Sequence, residues 1–465
     1  MVQASGSPFK LVYSNWYTID NIRYPLANGL HPALVNWMQD KIINDHLQHS
    51  DDFLRIKEID DCYYYNNPKS GYYFRNSNFF YHFKESFGLD NIVSEDQVTD
   101  GSYYYPIELE CNTVQFVLNE TDIMVDGTEY RHSIGNSLTP KILELLQTGR
   151  VKLLLVNMID PSIEPSILED VEKLLLNLGI KGSNIVCLQG NVRYDIKTSM
   201  TLLGSDIALY QTANLMDKYP FDTGLNYVSD YVKPGDISRY SIRSKRFLSF
   251  NRMGRPHRIG LCQLAIEHKL LREGFFSFLF DVKHDTVDML NRVMEGTDEM
   301  VEDIASIVPY HLDTDHLPDE QRFTFFPVYS NKKEFYRYSY VHITTETDFD
   351  KDETPFFSEK TWRPILNLQP FIYMGNYAAL NKLHQLGFKT FHPFIDESYD
   401  LEKDHKKRFA LIKQEILKIA QLPIGQLNDW YHSITDVLVH NQNHLHTFKN
   451  YNPFQELLNY ESKQI

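Results

Sequence analysis

Apolar residues along this chain fall in two periodicities, and the change from one to the other orders the reading. Up to about residue 150 they form short runs of strand length, such as Phe9-Lys10-Leu11-Val12-Tyr13 and Thr113-Val114-Gln115-Phe116-Val117-Leu118, set between loops. Between about 151 and 190 the pattern becomes strand, helix, strand. Val151-Lys152-Leu153-Leu154-Leu155-Val156 predicts a buried strand, Ile167 to Leu178 an amphipathic helix ended by Gly179, and Ile185-Val186-Cys187-Leu188 the next strand. That alternation implies a parallel sheet.

The second half repeats the theme. Residues 219–245 carry Pro220, Gly224, Pro234 and Gly235 among polar residues and read as an inter-domain linker. A strand from Arg246 to Phe250 follows, then a basic loop, then a helix from about Arg258 to Glu273 ended by Gly274. Tyr340-Val341-His342-Ile343-Thr344-Thr345 predicts another strand. Ser358 is placed to cap a helix reaching about Leu368, and Pro370 restarts the chain as a strand, Phe371 to Met374. From Asp404 onward the chain reads as helices with polar tails. The expected organisation is α/β in two domains: 1–218, the linker 219–245, 246–440, and a tail over 441–465.

Composition narrows the class. At 465 residues the chain exceeds one ordinary core, and its 42% hydrophobic content supports globular packing. No run approaches ~18 consecutive apolar residues, so no membrane span is expected. Met1 to Lys10 lack a basic region followed by an apolar core, so no signal peptide is expected. Cys62, Cys111, Cys187 and Cys262 have no metal-ligand spacing, which favours reduced buried thiols and a cytoplasmic protein. The net charge of −16 argues against broad gripping of a polyanion, while leaving room for a local basic groove. Aromatic clusters at Tyr63-Tyr64-Tyr65, Tyr72-Tyr73-Phe74, Phe79-Phe80-Tyr81 and Tyr103-Tyr104-Tyr105 would suit stacking on sugars or bases, and equally would suit strands.

Two turns concentrate chemistry. The loop Asn251-Arg252-Met253-Gly254-Arg255-Pro256-His257-Arg258 joins a strand to a helix, and from Arg243 to Arg258 there are six Lys/Arg and no acid. A basic island at the carboxyl end of a strand suits a diphosphate, because Arg forks bind phosphate oxygens and the helix N-terminus adds its dipole. A solvated basic turn is the plain alternative. In Pro355-Phe356-Phe357-Ser358-Glu359-Lys360-Thr361-Trp362-Arg363 an acid and a base sit side by side at the helix start, with Lys360 and backbone N–H groups around one point. A capped surface helix with one solvated charge pair is its plain alternative. Glu346 closes the strand 341–345 and would face the same crevice, where a carboxylate holds ribose or sugar hydroxyls.

Asp313-Thr314-Asp315 and Asp348-Phe349-Asp350 are DxD triplets of the kind that holds Mg²⁺ or Mn²⁺ against a diphosphate; the second lies in a loop acidic enough for a chance match. His440, His444 and His446 lack an evident fourth metal ligand. No metal and no cofactor are expected at the site. There is no Walker A motif, no Gly-x-Ser-x-Gly, and no GxGxxG after the first strand.

Taken together these residues resemble a nucleotide-sugar-dependent glycosyltransferase of the two-Rossmann (GT-B) type. The pattern Thr344-Thr345-Glu346, Phe357-Ser358-Glu359-Lys360-Thr361, Gln369-Pro370-Phe371-Ile372 looks like the donor-binding core of the α-1,3-fucosyltransferase family, and the 251–258 loop is similar to that family's basic phosphate loop. The resemblance covers about 246–400. It implies two Rossmann-like domains with a cleft between them, an enzyme, and a donor site of Arg252, Arg255, Arg258, Glu346, Ser358, Glu359, Lys360 and Thr361. Within that site Lys360 and Arg252 or Arg255 would grip the diphosphate, and Glu346 would help hold the donor. The chain departs from the family at Trp362-Arg363-Pro364, a proline inside the helix, and at Thr347-Asp348 in place of Asn-Ser.

Leu386-Gly387-Phe388-Lys389-Thr390-Phe391 and Glu397-Ser398-Tyr399-Asp400 also look like uncharacterised transferases of phages and large viruses. Phage DNA glucosyltransferases share the GT-B fold, so modified DNA stands beside a saccharide or other hydroxyl as acceptor. Asp160, after the strand 151–156, is the expected catalytic base, with Glu164 second. Rival readings are a metal-dependent GT-A transferase using Asp348 and Asp350, and a non-catalytic carbohydrate- or nucleic-acid-binding protein.

Overall fold

The computed structural model describes residues 8–19, 22–25, 28–29, 32–33, 35–36, 64–66, 73–75, 83, 86–108, 121–125, 128–157, 165–189, 197–204, 231–237, 242–311, 333–350, 357–447 and 454–464. The chain divides into two compact units, Met1–Gln211 with Asn452–Ile465, and Thr212–Tyr451. Each is mixed α/β around a parallel sheet.

The main sheet of the first unit, among the described residues, has six strands: β1 (Lys10–Tyr13), β2 (Ile92–Ser94), β3 (Tyr103–Glu108), β4 (Lys152–Asn157), β5 (Ile185–Gln189) and β6 (Thr201–Gly204), in the order β6-β5-β4-β3-β1-β2 and all parallel. Parallel strands are covered on both faces, which is why β4 is apolar without alternation. Leu153 and Leu155 enter one core with Ile142, Leu146, Leu168, Val171 and Leu175; Leu154 and Val156 enter the other with Phe9, Leu11, Tyr104, Phe454 and Leu457. Helix α1 (Pro140–Thr148) supplies the first two of those helical contacts. Thr139 caps it by accepting from the Ile142 amide, and Gly149, at φ 76, ends it in the left-handed region where only glycine is unstrained. Helix α2 (Pro165–Asn177) supplies Leu168, Val171 and Leu175 at i, i+3, i+7.

The aromatic triplet Tyr103-Tyr104-Tyr105 is core rather than a stacking surface, because β3 lies inside this sheet and all three rings are buried. The side chains of the other three triplets fall outside the described residues. Cys187 and Cys262 are buried free thiols, pushed up to about 12 by desolvation; Cys62 and Cys111 lie outside the described residues.

The second unit holds β7 (Lys245–Asn251), β8 (Gly274–Phe278), β9 (Ser339–Thr345) and β10 (Phe371–Met374), in the order β8-β7-β9-β10 and all parallel. Every residue of β9 is buried. The helix after the basic loop, α3 (Pro256–Glu267), is shorter than its apolar pattern predicts, and Gly274 opens a strand instead of ending the helix. The physical reason is contact: a Cβ at Gly274 would meet Phe276 at 2.4 Å and Phe247 at 3.0 Å, so the bare backbone lets β8 close on β7. The helix after Ser358, α4 (Glu359–Leu366), stops two residues earlier than expected, and Leu368 turns at φ 52 before β10.

Two segments sit differently from their sequence reading. The described part of 219–245 belongs to the second unit. The Val232 amide donates to Asn367 Oδ1 (3.1 Å), and its carbonyl accepts from Gln442 Nε2 (2.8 Å), so this stretch is anchored to a core. The expected tail 441–465 is divided. Helix α7 (Thr435–Thr447) buries Leu438 and Leu445 in the second unit, whereas α8 (Gln455–Ser462) packs on the first unit's sheet through Phe454 and Leu457. Glu461 of α8 is buried; it accepts from the Tyr104 hydroxyl and pairs with Lys152 (3.6 Å), whose ammonium lies 4.7 Å from the Tyr460 ring centre. Helices α5 (Ala379–Gln385) and α6 (His405–Gln421) follow β10 in the second unit. Among the described residues no helix is long and apolar enough to cross a membrane.

Candidate functional site

The order β8-β7-β9-β10 contains one reversal. The chain leaves β7, builds β8 on one side, and returns to place β9 on the other. The carboxyl ends of β7 and β9 therefore diverge into helices on either side of a crevice, the position where open α/β sheets bind ligands. The loop 252–255 into α3 leaves the first, and the segment leading to α4 leaves the second.

Buried polar groups join the two strand ends. Thr345 Oγ1 donates to Asn251 Oδ1 (2.8 Å), and Asn251 Nδ2 donates to Ser249 Oγ (3.1 Å). Arg258, in the first turn of α3, is buried and donates through Nη2 to the carbonyls of Thr345 (3.0 Å) and Glu346 (2.9 Å). His257 Nε2 donates to the same Glu346 carbonyl (2.9 Å), which leaves Nδ1 as the lone-pair nitrogen. The imidazole stacks on Phe349 at 5.2 Å, and Arg408 of α6 lies 4.6 Å from that ring and donates to the Phe349 carbonyl.

Burial holds the His257 pKa well below 6.5, and the charges of Arg258, Arg255 and Lys360 lower it further. These charges come from the end of the basic loop, the first turn of α3 and the first turn of α4, and all disfavour protonation of the ring. Arg255 is exposed at the N-terminus of α3, a helix whose end carries no side-chain cap; Arg252 is half-buried and Met253 is 55% exposed beside them. This is a concentrated positive rim at the end of a parallel sheet.

Three other members of the basic island serve the fold. Arg243 donates to the carbonyls of Tyr336 and Ser339 and lies 3.8 Å from the Tyr431 ring centre. Lys245 donates to the Arg272 carbonyl, and Arg246 pairs with Glu273 (3.0 Å) and donates to the Leu422 carbonyl (2.7 Å).

Glu346 departs from the sequence reading of a hydroxyl-holding carboxylate facing the crevice. It is fully buried, and its carboxylate accepts from the Ser358 amide (2.9 Å), Ser358 Oγ (2.5 Å) and Thr361 Oγ1. Ser358 caps α4 as expected, accepting from the Lys360 amide (3.2 Å) and from Lys360 Nζ (3.1 Å). Glu359 opens α4. The α4 end is therefore already satisfied by an internal carboxylate, and Glu346, Ser358 and Thr361 build a framework under Lys360. Asp160 and Glu164, the expected bases, lie outside the described residues.

The acidic triplet 348–350 is likewise engaged: Asp348 is buried and Asp350 pairs with Arg292. Asp313-Thr314-Asp315 lies outside the described residues. Among the described residues no group of three or more His, Cys, Asp or Glu is arranged to hold a metal ion. His440 Nε2 and His444 Nε2 donate to the carbonyls of Gly387 and Leu386, so the histidine pair closes the C-terminal end of α5. Sequence reasoning missed His257 and Arg408 as organisers of the site. His257 lay within the basic loop, but its link to the residue 89 positions away has no local signature.

No family model matches the chain, and no curated protein matches it. Among solved structures it is similar to one described as "OtsA apo structure", with 11% identity over 95% of this chain and 98% of that one, at a TM-score of 0.33. A likeness at that level carries no argument, and the functional reading rests on the site.

Proposed function

We propose that the second unit binds the diphosphate of a nucleotide-sugar donor at the β7/β9 crevice, and that the protein is a glycosyltransferase of GT-B type. The observation that carries this reading is that Arg255, at the N-terminal end of α3, and Lys360, in the first turn of α4, lie on the two helices that follow the strands flanking the topological switch point. In a chain of net charge −16, a cationic rim at the ends of parallel strands matches a diphosphate better than a neutral ligand.

In the proposed reaction Arg252, Arg255 and Lys360 neutralise the departing diphosphate in place of a divalent metal. A carboxylate, Asp160 ahead of Glu164, takes the acceptor hydroxyl proton. The acceptor oxygen then bonds to the anomeric carbon from the opposite face as the bond to the diphosphate oxygen breaks, giving inversion and a free nucleoside diphosphate. The acidic chain favours a saccharide or other small hydroxyl acceptor over duplex DNA.

A thermal-shift screen against UDP, GDP and their sugars, followed by calorimetry, tests the donor. A nucleotide bound only by the native state raises the melting temperature. Lys360→Ala and Arg255→Ala are each expected to weaken its binding by roughly 1.5–3 kcal/mol, the range for hydrogen bonds to charged groups, and EDTA is expected to leave binding intact. Absence of any nucleotide binding, or binding abolished by EDTA together with Asp348→Asn, overturns the reading.

A further inference from the structure

We infer that Glu346 is a positioning residue that sets the cationic rim without touching the ligand; this rests on the diphosphate reading above. Its side chain and main chain reach three elements at once. The carboxylate holds Ser358 and Thr361 at the start of α4, and Ser358 Oγ accepts from Lys360 Nζ (3.1 Å). The carbonyl accepts from His257 and Arg258 in the first turn of α3, and the amide donates to the Met374 carbonyl (3.0 Å) at the end of β10. One buried residue therefore fixes the spacing between the loop carrying Arg255 and the helix carrying Lys360.

The same geometry changes how an anion would be read. Helix N-termini bind phosphate through their first amides. Here the internal carboxylate and the Ser358 hydroxyl already take the Ser358 and Lys360 amides. With those two amides taken, the Lys360 ammonium is the charged group that α4 offers an anion.

A buried carboxylate close to an anion site also opposes anion binding by Coulomb repulsion. Its two effects on a diphosphate have opposite signs: repulsion weakens binding, and alignment of Lys360 strengthens it. That opposition makes the inference testable by direction.

Calorimetry with UDP, GDP and inorganic pyrophosphate is the experiment, with melting temperature recorded for every variant. Glu346→Gln removes the negative charge but offers the donors of Ser358 and Thr361 a mismatched amide. Positioning predicts weaker binding, by about tenfold or more. Ser358→Ala breaks the chain to Lys360 while keeping the carboxylate, and is expected to weaken binding in the same direction; it serves also if Glu346→Gln does not fold. In a Lys360→Ala background, Ser358→Ala is expected to cause no further loss, since coupled residues are not additive.

Tighter or unchanged binding in Glu346→Gln overturns the inference, leaving Glu346 a structural residue whose charge merely repels. So does additive loss in the double variant. A wild-type protein that binds none of the three probes overturns the donor reading itself, a separate outcome from variants that bind as wild type does.

Discussion

The two units build the same kind of strand-order reversal and furnish it with different chemistry. In the first, β1 is followed on one side by β2 and on the other by β3, so a reversal lies between β1 and β3, as it does between β7 and β9 in the second. Among the described residues just beyond β1, the hydrogen-bonding groups are neutral. Ser14 Oγ meets the Tyr105 hydroxyl (3.0 Å), Asn15 donates to Ser14, Asn28 bridges the Ser14 amide and the Val12 carbonyl, and Trp16 Nε1 donates to the Tyr13 carbonyl. Beyond β7 lie Arg252 and the exposed Arg255, and beyond β9 the acids Glu346 and Asp348 are buried ahead of Lys360 in α4. Topology alone places a crevice at each edge; side-chain chemistry separates a rim suited to an anion from one of hydroxyls, amides and an indole.

The largest expected effect lies in the first unit. Phe454 packs against Phe83 and Phe87 at ring distances of 5.5 and 5.4 Å and has no exposed surface. Phe454→Ala is expected to cost about 3–5 kcal/mol, the range for emptying a buried phenylalanine site. Nucleotide affinity of the variant that remains folded should be unchanged. Denaturant unfolding with parallel calorimetry checks this, and a loss of affinity would show that the cationic rim depends on the first unit.

The second unit is also expected to be acid-sensitive. In the second unit His342 of β9 is buried, and desolvation, assisted by the Arg363 charge, lowers its pKa from 6.5 to about 3; His257 is lowered in the same direction. A histidine held neutral in the native state binds its proton only on unfolding, so the unfolded chain carries more protons between pH 6.5 and about 3. Stability contributed by neutrality is therefore present above pH 6.5 and lost as pH falls through that window. The slope is about 1.4 kcal/mol per pH unit for each such group. Urea unfolding between pH 8 and 4 should show this dependence, and His342→Leu should flatten it; an unchanged slope would mean the ring is protonated in the native state.

The smallest expected effect concerns Asp350. Its partner Arg292 is 56% exposed, and a pair so open to solvent contributes less than about 1 kcal/mol. Asp350→Asn should therefore shift the melting temperature little and leave nucleotide binding and its EDTA resistance unchanged. Loss of binding on that substitution would return the metal-dependent reading.

Much of the framework was legible because it is local. The unbroken apolar run 151–156 announces a strand covered on both faces, Leu168, Val171 and Leu175 announce one helical stripe, and Ser358 before Glu359-Lys360 announces a helix start. Each signal depends on residues within a few positions of one another, where backbone periodicity alone decides which side chains share a face. The basic loop after β7 was visible for the same reason, as was the lone charge contrast it makes with an acidic chain.

Tertiary structure decided which of those charges a ligand could meet. Arg243, Lys245, Arg246 and Arg258 look alike in sequence to Arg255, yet the fold assigns the first four to carbonyls and to Glu273 and leaves Arg255 exposed at the rim. Glu346 reads as a solvent-facing acid until β9 and α4 close over it and supply three donors. Helix α8 reads as a polar tail until Phe454 finds Phe9's core more than 400 positions earlier in the chain. A buried charge is tolerated only where partners from distant segments replace its water, and those partners are brought together by folding, not by spacing along the chain.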